Sequence, residues 1–511
     1  MKFKNNFEKI YENIVAPPPL FIYTTLIIIT IAYFSPYLDV RNYFIGDDFV
    51  WLYQAKFGRF VPTLGADDYS YQNKYGSLAF IYQLIPVSIY NDRPGGLLFI
   101  KIIHEIFGLS SATPYYVAIL ILHIINVALF YKYARIFLSV WPSWIAAALS
   151  ATWFYAIDAA TRVNAIFDVL AFTASIASIL IFRESVEKNS KIKYIIGLLL
   201  FVFAIRTKEY AIGILPILFL QESIFFNGKI KESLKRISGY IFVFLLIFTR
   251  YLSLYFDQST ERLISKTSDY HFSYSLQGTL ENFYWYWSEV FYKPFVSPIF
   301  LGLIFLIFIA IFITGDGKLK RIYLFSICAF TLILGPVLLF TGQRSALYLY
   351  APHFFVALLL AATLEGKALN KILGILLISF VSIIPFSSNW KHDSTNWMLD
   401  RRNEVRLQLE SGTPIISEKL TTNKGDLTVF IGGVKPYINA YVNSWATMID
   451  LGRPVKNLLA EHMIYVLGQH STEKMDDFIK QYCNQPGGKL FLEYDGNVAH
   501  DRTVEFEKNC Q

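Results

Sequence analysis

Two adjacent carboxylates, Asp47 and Asp48, are the residues of this sequence best placed to do chemistry. They follow the first long apolar stretch, and residues 49–52 are apolar again. A charged pair just past a membrane span usually marks a helix end in water. Here the apolar residues that follow predict a position at the boundary between water and lipid, where a carboxylate can serve as a general base.

Further ionisable residues stand at the ends of later apolar stretches, and we predict that all of them face the same side of the membrane as the acidic pair. Taken alone, each would simply mark a helix end in water. Ionisable groups close to a membrane are costly, however, and tend to line functional cavities. Together they predict a pocket that holds both acids and bases. They are Asp92, Arg93, Asp158, Arg162, Arg206, Lys208, Glu209 and Arg344.

Acids and bases together at a membrane surface suit the breakdown of a lipid-linked phosphosugar. In such a donor the phosphate is bonded to the anomeric carbon of the sugar, and breaking that bond leaves extra negative charge on the lipid phosphate. Arg or Lys side chains stabilise this charge as it develops. A carboxylate removes the proton of the attacking acceptor hydroxyl. Because the lipid tail stays in the bilayer, the site belongs at the bilayer's edge.

The elements that would position these groups are membrane helices. The chain has 511 residues, of which 54% are hydrophobic and 17% are charged, and long apolar stretches recur from residue 20 to residue 387. A soluble domain of this length does not need so much apolar surface. We therefore predict an all-α polytopic membrane protein with about eleven transmembrane helices. The predicted spans are 20–38, 115–137, 142–158, 163–183, 193–206, 209–226, 237–256, 297–314, 322–341, 347–363 and 370–387.

The net charge of +7 does not indicate a nucleic-acid partner, because the positive residues sit in short loops between the spans. Their alternation follows the positive-inside rule, which predicts a cytoplasmic N-terminus. An odd number of spans then puts the C-terminal part outside. In the first outer loop, 39–114, the apolar stretches 78–90 and 96–108 are too short to cross a bilayer, and we expect helices that lie in the interface.

Composition divides the chain into a transmembrane module, residues 1–387, and a polar, extracytoplasmic soluble domain, residues 388–511. We predict a small α/β fold for the second part. Its predicted strands are 427–432 and 489–494, and its predicted helices are 457–468 and 472–483. Cys483 and Cys510 would pair if this domain lies in an oxidising compartment.

Four short motifs resemble the membrane glycosyltransferases of the GT-C class, which include the protein O-mannosyltransferases, the lipid A aminoarabinose transferase and the TMTC proteins. Their order along the chain and their predicted sidedness make the set more specific than any single motif. The motifs are Gly46-Asp47-Asp48; Asn91-Asp92-Arg93-Pro94 with Phe107-Gly108, His123 and Asn126; Thr207-Lys208-Glu209-Tyr210 with Pro216; and Arg344, Tyr348, Tyr350 and Pro352.

The resemblance covers about residues 20–360 and implies an inverting transfer of a sugar from a polyprenyl phosphate. It implies that Asp47 is the general base beside Asp48, with Asp158 as a second acid. It also implies donor-phosphate ligands (Lys208, Arg206 and Arg344) and substrate contacts (Arg93, Glu209, Tyr348 and Tyr350). The sequence departs from the class after Asp158, where Arg162-Val163-Asn164 and Asp168 blur the alignment, and in residues 388–511, which match no family pattern.

Richness in Phe, Tyr, Ile and Lys, the chain length and the polar tail are also similar to the Gtr-type O-antigen glucosyltransferases of bacteria and phages. This similarity implies undecaprenyl-phosphate glucose as donor and lipopolysaccharide O-antigen as acceptor, at the periplasmic face of a bacterial inner membrane. The expected partners are thus a polyprenyl-phosphate sugar, a glycan or lipopolysaccharide acceptor and membrane lipids. The sugar, the acceptor class and the oligomeric state stay open.

Alternatives within the class are a protein O-glycosyltransferase and a lipid A sugar transferase. From another class, a flippase for a lipid-linked sugar would carry polar mid-membrane residues and repeat symmetry, which the sequence does not show. We expect no cofactor, because the sequence contains neither a phosphate-binding loop nor a zinc motif. A divalent metal on Asp47 and Asp48 stays open, although a lone pair of carboxylates favours metal-free chemistry.

Overall fold

The structure is a computed structural model of the chain. It describes residues 17–35, 43–44, 48–49, 51–52, 93–108, 111–153, 156, 159, 162–227, 229–257, 275–291, 298–339, 344–383, 388–422, 427–432, 456–459, 480, 483–484 and 487–510.

Helices dominate the described residues, and one small sheet follows them along the chain. This confirms the predicted fold class. The helices are α1 Pro19–Phe34, α2 Pro94–Phe107, α3 Thr113–Ala134, α4 Val140–Ala151, α5 Ile166–Glu187, α6 Lys191–Thr207, α7 Ile214–Gln221, α8 Ile230–Arg236, α9 Ser238–Asp257, α10 Leu276–Val290, α11 Pro298–Thr314, α12 Gly317–Leu334, α13 Pro352–Ala362, α14 Ala368–Ile383, α15 Ser388–Thr422 and α16 Thr503–Glu507.

Three described helical stretches are long and apolar enough to cross a bilayer unaided: Thr113–Ala134, Val163–Glu187 and Glu209–Phe226. Further apolar helices, among them α1, α4, α11, α13 and α14, are shorter. Large apolar side chains such as Leu246, Phe305 and Leu376 lie exposed on their outer surfaces. An apolar exterior of this kind needs lipid around it rather than water. The chain is therefore a multi-pass membrane protein.

The helix α13 lies at the centre of the bundle, where it packs against α4 and α12. Every residue from Pro352 to Ala362 is buried. Apart from His353, whose ring contacts the carbonyls of Leu349 and Ser150, the helix is apolar on all sides, as expected in the interior. The helices α5, α3 and α6 pack together beside it, and the long α5 is mostly buried as well.

Several predicted boundaries need correction. The predicted span 142–158 is wrong at its end, since α4 stops at Ala151 and the indole of Trp153 donates to the carbonyl of Val290 at 3.3 Å. The predicted span 322–341 ends as α-helix at Leu334, where Gly335 takes a positive φ of 37° and a 3₁₀ turn follows. The predicted interfacial helix 96–108 corresponds to α2, and 78–90 lies outside the described residues.

The C-terminal sheet contains β1 Leu427–Gly432, β2 Lys456–Leu459, β3 Gly488–Asp495 and β4 Val498–Asp501 in the order β2-β1-β3-β4. The strand β1 is parallel to both neighbours, and β3 and β4 form an antiparallel hairpin. Both predicted strands are confirmed. The predicted helix 457–468 is wrong at its start, because these residues pair with β1, whereas 472–483 falls largely outside the described residues.

The sheet rests on α15, a 35-residue helix that the sequence analysis did not predict. The Gln408 side chain donates to the carbonyl of Gly496 at 3.1 Å, and Ser411 Oγ accepts from the Ala499 amide at 2.7 Å. A Cβ at Gly412 would overlap the hydroxyl of Tyr494 in β3, so only glycine permits this close approach. A disulfide between Cys483 and Cys510 joins the segment before β3 to the turn after α16.

Candidate active site

A bidentate ion pair joins the start of α2 to the segment after α6. Arg93 Nε donates to Glu209 Oε2 at 3.0 Å, and Arg93 Nη2 donates to Glu209 Oε1. Burial alone would lower the pKa of Arg93, but the adjacent Glu209 carboxylate outweighs this and holds that pKa above its ordinary value. The two side chains are 25% and 40% exposed, so they stay accessible to a ligand.

Two glycines allow α2 to come this close. A Cβ at Gly95 would overlap the hydroxyl of Thr207 at the end of α6, and a Cβ at Gly96 would overlap the ring of Phe167 in α5. Pro94 begins the helix, where its missing amide costs nothing. The sequence Pro-Gly-Gly thus sets the backbone of α2 directly against two membrane helices and fixes Arg93 at their ends.

A second, deeper ion pair lies beside the first. Lys208 has left the helical conformation at the end of α6, and its Nζ lies 3.3 Å from Oδ2 of Asp168 in the first turn of α5. The side chains are only 7% and 2% exposed. The Tyr210 hydroxyl donates to the Asp168 carbonyl at 2.6 Å, and the ring of Tyr348 lies 5.5 Å from Lys208 Nζ. Because burying two charges is costly, this pair is weak as a stabiliser and suits a functional role.

Aromatic side chains connect Arg93 and Lys208 to the segment that carries Asp48 and Trp51, here called the acidic segment. Trp51, three residues after Asp48, packs against Phe167 with a ring distance of 4.4 Å. The Arg93 guanidinium lies 5.8 Å from the Trp51 ring and 5.9 Å from the Phe167 ring. These contacts form an apolar wall that strengthens electrostatic interactions in the site by excluding water.

Asp48 is buried, with 1% of its surface exposed. Its Oδ1 accepts a hydrogen bond from the backbone amide of Asn164 at 3.1 Å. The segment before it is held by Tyr116 of α3, whose hydroxyl donates to the carbonyl of Tyr43 at 3.0 Å. Asp48 is therefore fixed against the start of α5, in the same region as the ion pairs. Of the other predicted acids, Asp47 and Asp158 lie outside the described residues.

The remaining predicted cations take different positions. Arg206 is buried in the last turn of α6, two residues from Lys208. Arg344 is exposed, and its Nε donates to Asn282 Oδ1 of α10 at 2.9 Å. Asn282 in turn donates to the carbonyl of Leu338 at 2.9 Å. Arg344 is thus oriented by a buried amide and presents its charge outward.

Tyr350 belongs to a buried network rather than to the open part of the site. Its hydroxyl lies 2.9 Å from His123 Nδ1 and accepts from Asn126 Nδ2 at 2.8 Å. His123 Nε2 faces the carbonyl of Ala151, so Nε2 carries the proton and Nδ1 must accept from Tyr350. The network fixes the segment that begins α13 and, two residues earlier, Tyr348.

Sequence reasoning missed several members of this site as functional residues. Asp168 was noted only because it disturbs the alignment, and Trp51, Phe167 and Asn164 received no role. A carboxylate in the first turn of a long apolar span is itself a signal, because intramembrane acids are rare and tend to be functional. The backbone amide of Asn164 carries no such signal, since any residue supplies one.

The arrangement suits an anionic ligand at the membrane edge. Lys208 and Arg93 each sit beside a carboxylate, and a phosphate can replace a carboxylate as the partner of such cations through charge-assisted hydrogen bonds. Among the residues that the structure describes, no group of three His, Cys, Asp or Glu side chains comes together as a metal site would require.

Much of this site lies in a region of the chain that matches a known protein family. Residues 91–253 match the family model described as dolichyl-phosphate-mannose-protein mannosyltransferase. This match confirms the resemblance to the GT-C class of membrane glycosyltransferases. The matched region includes Arg93, Asp168, Lys208 and Glu209, and it ends before Arg344.

One solved structure that is similar to the chain is the crystal structure of ArnT from Cupriavidus metallidurans bound to undecaprenyl phosphate. The identity is 11%, the alignment covers 93% of each chain, and the TM-score is 0.48. No curated protein sequence matches the chain.

Proposed function

We propose that the chain is an inverting glycosyltransferase that takes a sugar from a polyprenyl-phosphate donor and passes it to an acceptor hydroxyl outside the cytoplasm. The observation that carries this proposal is the pair of neighbouring ion pairs, Arg93–Glu209 and Lys208–Asp168. They lie within the region that matches a family described by a polyprenyl-phosphate sugar, dolichyl-phosphate mannose. For the donor sugar and acceptor we propose glucose and lipopolysaccharide O-antigen.

The donor phosphate would bind at Lys208, with Arg206 and Arg344 as further cations. Lys208 supports this role because it is almost buried at the end of α6, where positive charge is worth most against a developing anion. Arg344 supports it because Asn282 orients its guanidinium while the side chain stays exposed. Arg93, Glu209 and Tyr348 would contact the sugar, and Tyr350 would hold Tyr348 in place.

Asp47 would act as the general base. Its neighbour Asp48 is buried and already accepts a hydrogen bond from the Asn164 amide, so Asp48 serves better as an anchor than as a base. In the reaction, the acceptor oxygen bonds to the anomeric carbon as the bond from that carbon to the phosphate oxygen breaks. Asp47 takes the acceptor's proton, and the lipid phosphate leaves with the bonding electron pair. Asp158 remains a second proposed acid.

We also propose that residues 388–511 form an extracytoplasmic domain that helps to bind the acceptor, and that the chain resides in a bacterial inner membrane with its N-terminus in the cytoplasm. The disulfide between Cys483 and Cys510 supports this side for the domain, because disulfides persist in oxidising compartments. Reaction of the two thiols with a membrane-impermeant maleimide, in intact cells after reduction, would test the orientation.

The deciding experiment uses the full chain in nanodiscs with radiolabelled undecaprenyl-phosphate glucose and lipopolysaccharide. We expect transfer by the wild-type protein and a loss of about a hundredfold to ten-thousandfold in Asp47→Asn. Glu232→Gln, at an exposed position on α8, serves as the matched control and should keep the wild-type rate. Transfer by Asp47→Asn at that rate would exclude Asp47 as the base.

A protein acceptor is the second candidate, because the matched family is described as acting on proteins. A second assay separates a protein acceptor from a lipopolysaccharide acceptor. It uses an unfolded Ser/Thr-rich peptide in place of lipopolysaccharide, and mannose in place of glucose in the donor. Label in the peptide but not in lipopolysaccharide would favour protein glycosylation.

We propose that transfer needs no divalent metal, since the Lys and Arg side chains of the site supply the positive charge that a metal would offer to the leaving phosphate. The expected result is full activity in excess EDTA. Loss of activity that Mg²⁺ or Mn²⁺ restores would assign a metal to the acidic pair instead.

A further inference from the structure

A buried cation of helix α15, Arg402, contacts the membrane module. Its side chain is 1% exposed, and its guanidinium carbon lies 5.2 Å from the ring centre of Tyr116 in α3. A desolvated guanidinium over an aromatic face is one of the stronger forms of this contact. Because burying a charge is costly, its presence here calls for a role that an apolar side chain would not fill.

Tyr116 connects this cation to the acidic pair. Its hydroxyl donates to the carbonyl of Tyr43, five residues before Asp48, and so holds the segment that leads to the pair. Asp48, Arg162 and Arg402 all lie within electrostatic range of that hydroxyl. One tyrosine therefore touches the acidic segment with its hydroxyl and the C-terminal helix with its ring.

The same helix is bound to the sheet further along. Gln408, Ser411 and Lys419 bond to Gly496, Ala499 and Asp501 of the β3–β4 hairpin. Arg402 lies less than two turns before the first of these contacts. A single helix therefore spans from the sheet to Tyr116.

We propose that Arg402 is a positioning residue for the acidic pair. Its guanidinium holds the ring of Tyr116, and Tyr116 holds the segment that precedes Asp48, so α15 and the sheet are coupled to Asp48, the neighbour of the proposed base. The Arg402 charge also offsets the negative charge that Asp48 brings into this buried region. The inference deepens the proposed function and rests on it for its catalytic part.

The first test compares three variants of the full chain in nanodiscs, with undecaprenyl-phosphate glucose and lipopolysaccharide as probes. Arg402→Met fills the space without the charge, and Arg402→Lys restores the charge. Arg406→Met removes an arginine that bonds to Asn403 and Glu410 within α15. We expect kcat to fall about tenfold to hundredfold in Arg402→Met, because small misplacements of a base cost this much. The donor KM should stay unchanged, since Lys208 is untouched.

Arg402→Lys should recover part of the lost kcat, which a purely space-filling role would not produce. Arg406→Met should behave as the wild type. Wild-type kcat in Arg402→Met, or equal losses in Arg402→Met and Arg406→Met, would overturn the inference.

Hydrogen–deuterium exchange supplies a readout that does not depend on the donor. In Arg402→Met we expect faster exchange in the peptide that contains Asp48 and in the first half of α15, with no change in the β3–β4 hairpin. Unchanged exchange at Asp48 would overturn the inference even if the protein proves inactive. An inactive wild type with the expected exchange would instead remove the proposed function and leave the coupling between α15 and the acidic segment in place.

Discussion

The two ends of the helix bundle both hold buried charge, but they hold it in different ways. At the end opposite to the candidate site, the carboxylate of Glu222 is fully buried and forms ion pairs with two arginines. Arg183 Nη1 lies 3.4 Å from one oxygen, and Arg236 Nη1 lies 2.8 Å from the other. Arg183 and Asp168 are fifteen residues apart in α5, which separates the two ends by about 22 Å.

The ion pairs of the candidate site are arranged differently. Two of its cations pair with a carboxylate and lie beside an aromatic ring: Arg93 has Glu209 and Trp51, and Lys208 has Asp168 and Tyr348. The Glu222 carboxylate is shared by two arginines from different helices, α5 and α8, and so fastens those helices together. The Arg93 side chain stays 25% exposed, so an anionic ligand can reach it and take the place of a carboxylate. The difference separates charge used for structure from charge available for binding.

The largest effect that would test this comparison is expected from Lys208→Met. Removing the cation should lower transfer by about a hundredfold to a thousandfold, because it takes away charge stabilisation at the leaving phosphate. It also leaves Asp168 buried without its partner, which should destabilise the fold. The rate of sugar transfer and the thermal midpoint in nanodiscs measure the two losses.

The double variant Lys208→Met/Asp168→Asn separates the loss of transfer rate from the loss of stability. It removes both charges, so the thermal midpoint should return most of the way to that of the wild type while transfer stays low. Recovery of activity together with stability would mean that Lys208 matters only to the fold.

We expect Gly96→Ala to lower the rate of sugar transfer about tenfold. A Cβ at this position overlaps Phe167, so it pushes α2 and Arg93 away from Glu209. Gly302→Ala is the matched control, because nothing lies within 4 Å of its added Cβ. Initial rates at saturating donor decide the outcome. Equal rates for the two variants would show that the close approach of α2 is not needed.

At the other end, Glu222→Gln should reduce stability and spare the reaction. The neutral amide cannot satisfy both arginines, and we expect a loss of about 1–3 kcal/mol in the free energy of unfolding. The rate per folded molecule should stay near that of the wild type. A fall in that rate comparable with Lys208→Met would contradict the division between the two ends.

The smallest effect is expected from the partly exposed ion pair of Lys419 and Asp501. Its contribution to stability gives a reference for the buried ion pairs at the two ends of the bundle. Burial alone would raise the pKa of Asp501, but hydrogen bonds from Thr503 and the charge of Lys419 lower it overall. A lowered folded-state pKa contributes stability above the ordinary value of 3.8, and this is lost as the pH falls through the folded-state value. Urea denaturation should show a loss of no more than about 1 kcal/mol, absent in Asp501→Asn.

Much of the bundle could be predicted from the sequence, because long apolar stretches and positive loops specify spans and their order. The ion pairs could not be assembled that way. Arg93 meets Glu209 across 116 positions, and this contact depends on two glycines whose need appears only once Thr207 and Phe167 are in place. Residue type marked Lys208 as a candidate, while its partner Asp168 looked like a disturbance of the alignment.

The C-terminal part was harder to predict for a related reason. Short strands in parallel pairs have partners far along the chain, so nothing local distinguishes β2 from a helix. The helix α15 was missed because Gly412 and Pro414 interrupt it and most of its surface is polar. Its buried positions Val405, Leu409, Ile416 and Leu420 do recur at helical spacing, and that pattern was the available signal.

The strand order β2-β1-β3-β4 has a consequence for how the protein is made. The strand β1 emerges from the ribosome before either of its neighbours, and both of its edges stay unpaired until β2 and then β3 have been synthesised. Through that interval α15 has no sheet to rest on, and Arg402 has little to hold it on Tyr116. The membrane helices must therefore insert and pack by themselves, and the contact of Arg402 with Tyr116 gains the support of the sheet only after β3 has been synthesised.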